Sequence, residues 1–248
     1  MSHAFEHESQ YVRRREWIAE YFDRTASAAW AQLTSDAPVS RIRATVRAGR
    51  EQMRDTLLGW LPQDLRGTQI LDSGCGTGAL SITLAERGAR VVAIDLSPTL
   101  IQYAKERAPT PLMSRIEFDS GDMLDPALGA FDYVVAMDSL IHYRAAEMIA
   151  ALRALRGRTH RSVLFTIAPR TPLLAAMHAV GRLFPRGDRA PSIEPVGPAA
   201  LREELDSIVG EDWHVGRNRR VSSGFYTSEA MELVRDHVSI SDSDETFI

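Results

Sequence analysis

The chain has 248 residues, 44% of them hydrophobic and 25% charged, with a formal net charge of −4; this mix suits one large globular domain, and nothing in its mildly acidic balance calls for nucleic acid as a partner. A single cysteine, Cys75, excludes an intrachain disulfide framework and suits a reducing compartment. No run approaches the ~18 apolar residues of a membrane span, and MSHAFEHESQYVRRRE holds no apolar stretch that reads as a signal peptide, so the expected address is the cytoplasm.

Residues 1–60 read as a helical N-terminal cap. Trp17, Ile18, Tyr21 and Phe22 recur at the spacing of one helix face. A second such stretch, VSRIRATVRAGREQMRDTLLGWL, is stopped by Pro62. His3 and His7 stand four apart, as a metal pair would, but no third ligand accompanies them and no metal site is expected. The texture then changes: QILD, a helix to Arg87, RVVAID, a helix from Pro98, RIEFDSGD, FDYVVAMD, a helix to Arg156, and SVLFTIA follow in turn. Apolar strands alternating with helices imply a parallel sheet covered on both faces, a domain expected to occupy residues 61–240. Residues 170–198 join a Met/Leu/Phe-rich helix to a basic, proline-rich loop, longer than a sheet connection needs. They read either as a lid or substrate element inserted after the fifth strand, or as a surface helix with a proline loop. A helix near 198–208 and a strand near 213–221 follow. VSSGFYTSEAMELVR is ambiguous by periodicity and reads as strand because the sheet needs a closing hairpin. Residues 241–248 are expected to be a flexible tail.

Chemistry concentrates in ILDSGCGTG. Gly74, Gly76 and Gly78 follow a strand and precede a helix, where backbone without Cβ atoms lies directly against a ligand. A P-loop would need Gly-Lys-Ser/Thr at the helix start, and Gly78-Ala79-Leu80 excludes it. Gly74, Gly76 and Ala79 satisfy the loose dinucleotide pattern, so the acids must decide. Asp72, directly before the glycines, would repel a pyrophosphate and welcome a cation. S-Adenosylmethionine fits: it carries an ammonium, a sulfonium and one carboxylate, with no phosphate. Asp95 ends the second strand, placed to accept both ribose hydroxyls, and Asp122 in SGDML lies where an adenine edge would sit. Acids at three successive strand ends line the crevice of an open α/β sheet.

On these residues the sequence resembles the class I S-adenosylmethionine-dependent methyltransferases: ILDSGCGTG looks like their first motif, VVAIDLS their second-strand acid and GDML their adenine contact. The resemblance implies an α/β, Rossmann-like fold with a mostly parallel seven-stranded sheet, helices on both faces and an N-terminal helical lid. It also adds Leu96, Met123 and Met137 to the cofactor contacts. The outer segments EYFDRTASAAWAQLTSD, VSRIRATVRAGREQMR, VVAMDSLIHYRA, LFTIAPRTPLLAAMHAVGRLFPRGDRAP and RRVSSGFYTSEA resemble the magnesium-protoporphyrin IX O-methyltransferase family. In that family S-adenosylmethionine methylates one propionate of magnesium protoporphyrin IX, leaving S-adenosylhomocysteine and the monomethyl ester, in bacteriochlorophyll and chlorophyll synthesis.

The resemblance implicates Tyr21 and His142 in activity. A propionate with a pKa near ~4–5 is already ionised, so positioning matters more than a strong base; neutral His142 or the Tyr21 hydroxyl would orient it. Tyr21 reads equally as a core aromatic beside Trp17 and Phe22, and His142 as a helix-start histidine without a role. Arg47 and the Arg182–Arg189 run either pair with propionates or form a solvated face. Met177, Leu183 and Phe184 either pack on the macrocycle or belong to the core. The Mg²⁺ is expected inside the porphyrin, not on protein ligands. The family is linked to magnesium chelatase, whose porphyrin-binding subunit is an expected partner, as is peripheral contact with a membrane. Three other functions compete: methyl transfer to a quinone or another carboxylic acid, oxidoreduction on a dinucleotide fold, and non-catalytic porphyrin carriage.

Overall fold

The computed structural model describes residues 2–23, 41–170 and 193–236. Helices α1 (Ser2–Tyr21) and α2 (Arg41–Trp60) come first. Strands β1 (Gln69–Ser73), β2 (Arg90–Asp95), β3 (Ile116–Ser120), β4 (Phe131–Ala136) and β5 (Thr159–Ile167) then alternate with α3 (Ala79–Glu86), α4 (Pro98–Arg107) and α5 (Ala145–Arg156). Helix α6 (Pro198–Val209) leads into β6 (Trp213–Ser223) and β7 (Tyr226–Arg235).

The seven strands form one sheet in the order β3-β2-β1-β4-β5-β7-β6. The first five are parallel, and β7 runs antiparallel to both β5 and β6. The expected mostly parallel sheet is therefore the one found. The ambiguous stretch from Val221 folds as the closing hairpin: Ser223 pairs with Tyr226 across Gly224-Phe225. Gly224, at φ 56, takes the first turn position, where type II′ hairpins prefer glycine.

Strand alternation builds two cores. Val134 and Ala136 of β4 and Val163, Phe165 and Ile167 of β5 face one side, where Met148 and Leu152 of α5, Leu201 and Leu205 of α6, and Ile18 of α1 pack on them. Tyr133, Val135 and Leu164 face the other, covered by Met53 and Leu57 of α2, Leu84 of α3 and Ala104 of α4. Period-2 strands buried on both faces explain why their sequence reads as unbroken apolar runs. Helices α1 and α2 thus pack on opposite faces of the sheet.

The order reverses between β1 and β4, so their carboxyl ends part and open a crevice. Among the described residues, no helix is long and apolar enough to cross a membrane.

Candidate active site

The crevice beyond β1, β2 and β4 is a cavity walled by the glycine loop, the turn after β4, Ile18 of α1 with Phe22 just past its end, and one face of α2. Gly74, Gly76 and Gly78 have φ of 78, 55 and 78, so the loop turns back on itself at alternate residues in a region other side chains avoid. Gly74 and Cys75 both donate to the Ile94 carbonyl, at 2.8 and 3.0 Å, which fixes the loop to β2. The three glycines do different work. Gly76 lines the cavity. At Gly74, also in the wall, a Cβ would lie 2.4 Å from Ser139 Cβ, so the absent side chain admits the β4 turn. Gly78 stands outside the wall; a Cβ there would meet Phe118 at 3.0 Å and Ala104 at 3.1 Å. Close helix–sheet packing accounts for the missing side chain there.

Two acids form the floor. Asp72 is 1% exposed and accepts from Ser81 Oγ at 2.5 Å. Burial pushes its carboxyl up to about 7, with the Ser81 bond opposing and the nearby Asp95 charge adding to the rise. Asp95 Oδ2 accepts from the Gly76 amide at 2.8 Å and Oδ1 from the Ser97 amide at 3.0 Å. Burial raises its carboxyl too, against the backbone bonds that lower it. Each oxygen keeps a second lone pair.

Leu96, Met123, Met137, Arg47 and His142 line the same cavity. His142 ends a single 3-10 turn, Leu140–His142, and is buried; Arg14 Nη1 donates to its carbonyl at 3.5 Å. Tyr21 stands one ring behind the wall: it meets Phe22 edge-on at 5.5 Å, and Phe22 meets His142 edge-on at 5.5 Å. Asp122 also lies outside the wall. Its Oδ1 accepts from Tyr11 Oη at 2.7 Å and its Oδ2 from Arg15 Nη1 at 2.6 Å, so here it anchors α1. Tyr11 completes that anchor by stacking on Tyr143, centroids 5.3 Å apart. Met177, Phe184 and the Arg182–Arg189 run lie outside the described residues, as do the side chains of His3 and His7.

Sequence reasoning missed Asp138, Ser139 and Asp23. Asp138 follows β4 in VVAMD, so the strand-end rule applied to three strands marks it as well. Ser139 Oγ is buried and finds no hydrogen-bond partner among the described residues, a donor left for a ligand at the cavity wall. Asp23, just past α1, accepts from Ser97 Oγ, the Thr99 amide and Thr99 Oγ1 at α4's start, a contact with no local signature. The donor set fits a zwitterion with cationic and carboxylate ends: acids at the strand ends, bare loop backbone between, and arginines on α2.

With this geometry the chain can be set beside known proteins. The family model for Magnesium-protoporphyrin IX methyltransferase C-terminus matches residues 136–235, and a Methyltransferase domain model matches residues 70–160. The Magnesium-protoporphyrin O-methyltransferase of Rhodobacter capsulatus is 49% identical over 226 residues, which are 90% of this chain and 98% of that protein. This chain belongs to the magnesium-protoporphyrin O-methyltransferase family. Two crystal structures of magnesium protoporphyrin IX methyltransferase from Synechocystis PCC 6803 share its fold. The one with bound SAH has a TM-score of 0.78 at 29% identity, covering 89% of this chain and 99% of that one. The one with bound SAM has a TM-score of 0.75 at 26% identity, covering 90% and 97%. The two matches overlap over residues 136–160, which hold the β4 turn and His142; the glycine loop, Asp95 and Asp122 fall in the general one alone, and the closing hairpin in the magnesium-protoporphyrin one alone.

Proposed function

We propose that this enzyme transfers the methyl group of S-adenosylmethionine to a propionate carboxylate of magnesium protoporphyrin IX, giving the monomethyl ester of (bacterio)chlorophyll synthesis. The observation that carries this reading is the 49% identity across 90% of the chain, joined to a magnesium-protoporphyrin model over the acceptor half, residues 136–235.

S-Adenosylmethionine supplies an electrophilic methyl on a sulfonium. The carboxylate oxygen forms the new C–O bond as the C–S bond breaks, the electron pair stays on sulfur, and no proton moves. The protein therefore has to bind, orient and exclude water. In our reading Asp72 faces the cationic end, the second lone pairs of Asp95 accept the ribose hydroxyls, and Gly74, Gly76, Leu96, Met123 and Met137 form the surrounding wall. Asp122, tied to α1, approaches the adenine from behind that wall. His142 and the unpartnered Ser139 hydroxyl orient the acceptor carboxylate, and Tyr21 acts through Phe22 to hold His142. Arg47 pairs with a propionate, and Met177 and Phe184 meet the macrocycle face. Ile18 and Phe22 close the water-facing side, where positioning is worth up to about 7–11 kcal/mol in well-oriented pairs. A flat apolar substrate favours lipid over water, which supports delivery from a membrane surface or from the porphyrin-binding subunit of magnesium chelatase.

Mass spectrometry after incubation with S-adenosylmethionine and magnesium protoporphyrin IX should show one added methyl ester, and the dimethyl ester of the same porphyrin should not react. An enzyme that binds S-adenosylhomocysteine yet forms no porphyrin ester would overturn the acceptor.

A further inference from the structure

The proposed reaction brings carboxylates into the crevice, and the cations that meet them come from one element. Arg47, Arg50 and Arg54 of α2 all line the cavity, at spacings of three and four that share one helix face. Asp72 and Asp95 lie at the strand ends, so the cavity is acidic at its floor and basic along α2. Arg50 is held by a buried acid. Its side chain is 19% exposed, and Nη1 donates to Asp138 Oδ2 at 2.7 Å. Asp138 is fixed in turn. Its carboxylate accepts from Tyr226 Oη at 3.1 and 3.2 Å and from Thr166 Oγ1 at 3.2 Å, and its amide donates to Thr166 Oγ1 at 2.7 Å. Asp138 also has φ 54, the one non-glycine residue with positive φ among those described. Such a conformation persists where the surroundings over-determine it, and such sites cluster at ligand clamps; here α2, β5 and β7 all hold it at the cavity wall.

We infer that α2 carries a carboxylate receptor, in which Arg50 contacts the bound carboxylate and Asp138 is the positioning residue that sets the plane of its guanidinium. The inference rests on the methyltransferase reading and deepens it. Asp138 fixes the guanidinium at the cavity wall, and a planar guanidinium is the geometry that carboxylates match. Two carboxylates of the reaction offer this chemistry: the amino-acid end of the cofactor and the porphyrin propionate that is not methylated.

The test compares R50Q, R50K and D138N with R50Q/D138N, which removes the cation together with its buried counter-charge and so guards against a folding failure. Titrations use S-adenosylhomocysteine and 5′-deoxy-5′-methylthioadenosine, which lacks the amino-acid end, and steady-state kinetics gives KM for magnesium protoporphyrin IX. A loss of about tenfold to a hundredfold in S-adenosylhomocysteine affinity, with the truncated analogue unchanged, assigns the receptor to the cofactor. Unchanged S-adenosylhomocysteine affinity with a comparable rise in porphyrin KM assigns it to the propionate. D138N should weaken the same ligand as R50Q, and R50K should recover part of the loss. Both constants within about twofold of wild type in folded R50Q/D138N overturn the receptor, and the methyltransferase reading survives because that variant still turns over. A D138N that lowers Tm and moves neither constant overturns the positioning role.

Discussion

Asp72 shows how one buried carboxyl couples this site to pH. Its carboxyl sits near 7 in the folded chain, against 3.8 for a free one. A carboxyl raised on folding favours the protonated native state, so its contribution is complete below pH 3.8 and is lost as pH climbs towards 7. About three pKa units correspond to roughly 4 kcal/mol, so the apoprotein should lose up to about that much stability between about pH 4 and 8, and Asp72→Asn should flatten the profile. Urea titrations across that range check it; equal slopes in wild type and variant would refute it. Cofactor binding should reverse the preference, because a cation beside Asp72 favours the ionised form, and proton release should appear in calorimetry near about pH 6. The place of Asp72 at the cavity wall was legible because it ends a strand directly before three glycines, where the crevice of such a sheet opens. Asp138 was less so: its partners come from positions 50, 166, 226 and 228, and no local pattern announces a positive φ. Asp122 reads in sequence as a ligand contact, and only the fold reveals that Tyr11 and Arg15, more than a hundred residues earlier, occupy both of its oxygens.

At the scale of elements, α2 is set against the hairpin by a glycine inside a helix. A Cβ on Gly49 would lie 2.5 Å from Tyr226 Cδ1 and 2.8 Å from its Cβ, atoms too near the backbone to swing away. Gly49→Ala gains about 1 kcal/mol of helix propensity and loses about 1–3 kcal/mol to overpacking. The net should be destabilising, with turnover lowered further because Tyr226 holds Asp138. Denaturant unfolding with an unchanged m-value tests the first part; a G49A variant more stable than wild type would remove the close approach from the account. Element types were readable because burial on two faces imposes unbroken apolar strands, and one-sided helices impose the 3.6 period. Boundaries were less readable where strands leave the core. SVLFTIA marks the buried part of β5, yet the strand begins at Thr159 with exposed His160 and Arg161, whose polarity gives no strand signal.

For the whole molecule, the cavity joins α1, α2, the glycine loop and the β4 turn, so a ligand there links segments far apart in the chain. S-Adenosylhomocysteine at about a hundred times its Kd should stabilise the fold by about 2.7 kcal/mol, which for a chain of this size raises Tm by about 5–10 °C. NAD at high concentration should leave Tm unchanged, and the reverse pattern would return the glycine loop to a dinucleotide. The sheet order has a further consequence, for synthesis on the ribosome. Strand β7 is the last of the described strands in sequence, yet it lies between β5 and β6 and brings Tyr226 and Ser228 to Asp138. A nascent chain that has emerged through β5 has its glycine loop and five parallel strands, but the outer edge of β5 stays unpaired until the residues of β7, Tyr226–Arg235, appear. For about 60 further residues at about 5–20 residues per second that interval is roughly 3–12 s, during which an apolar edge is open to foreign strands. A polypeptide released early in that window keeps Arg50 and Thr166 but lacks the bonds from Tyr226 and Ser228 to Asp138, so translation must run through the β6–β7 hairpin before the turn beyond β4 acquires its full set of bonds.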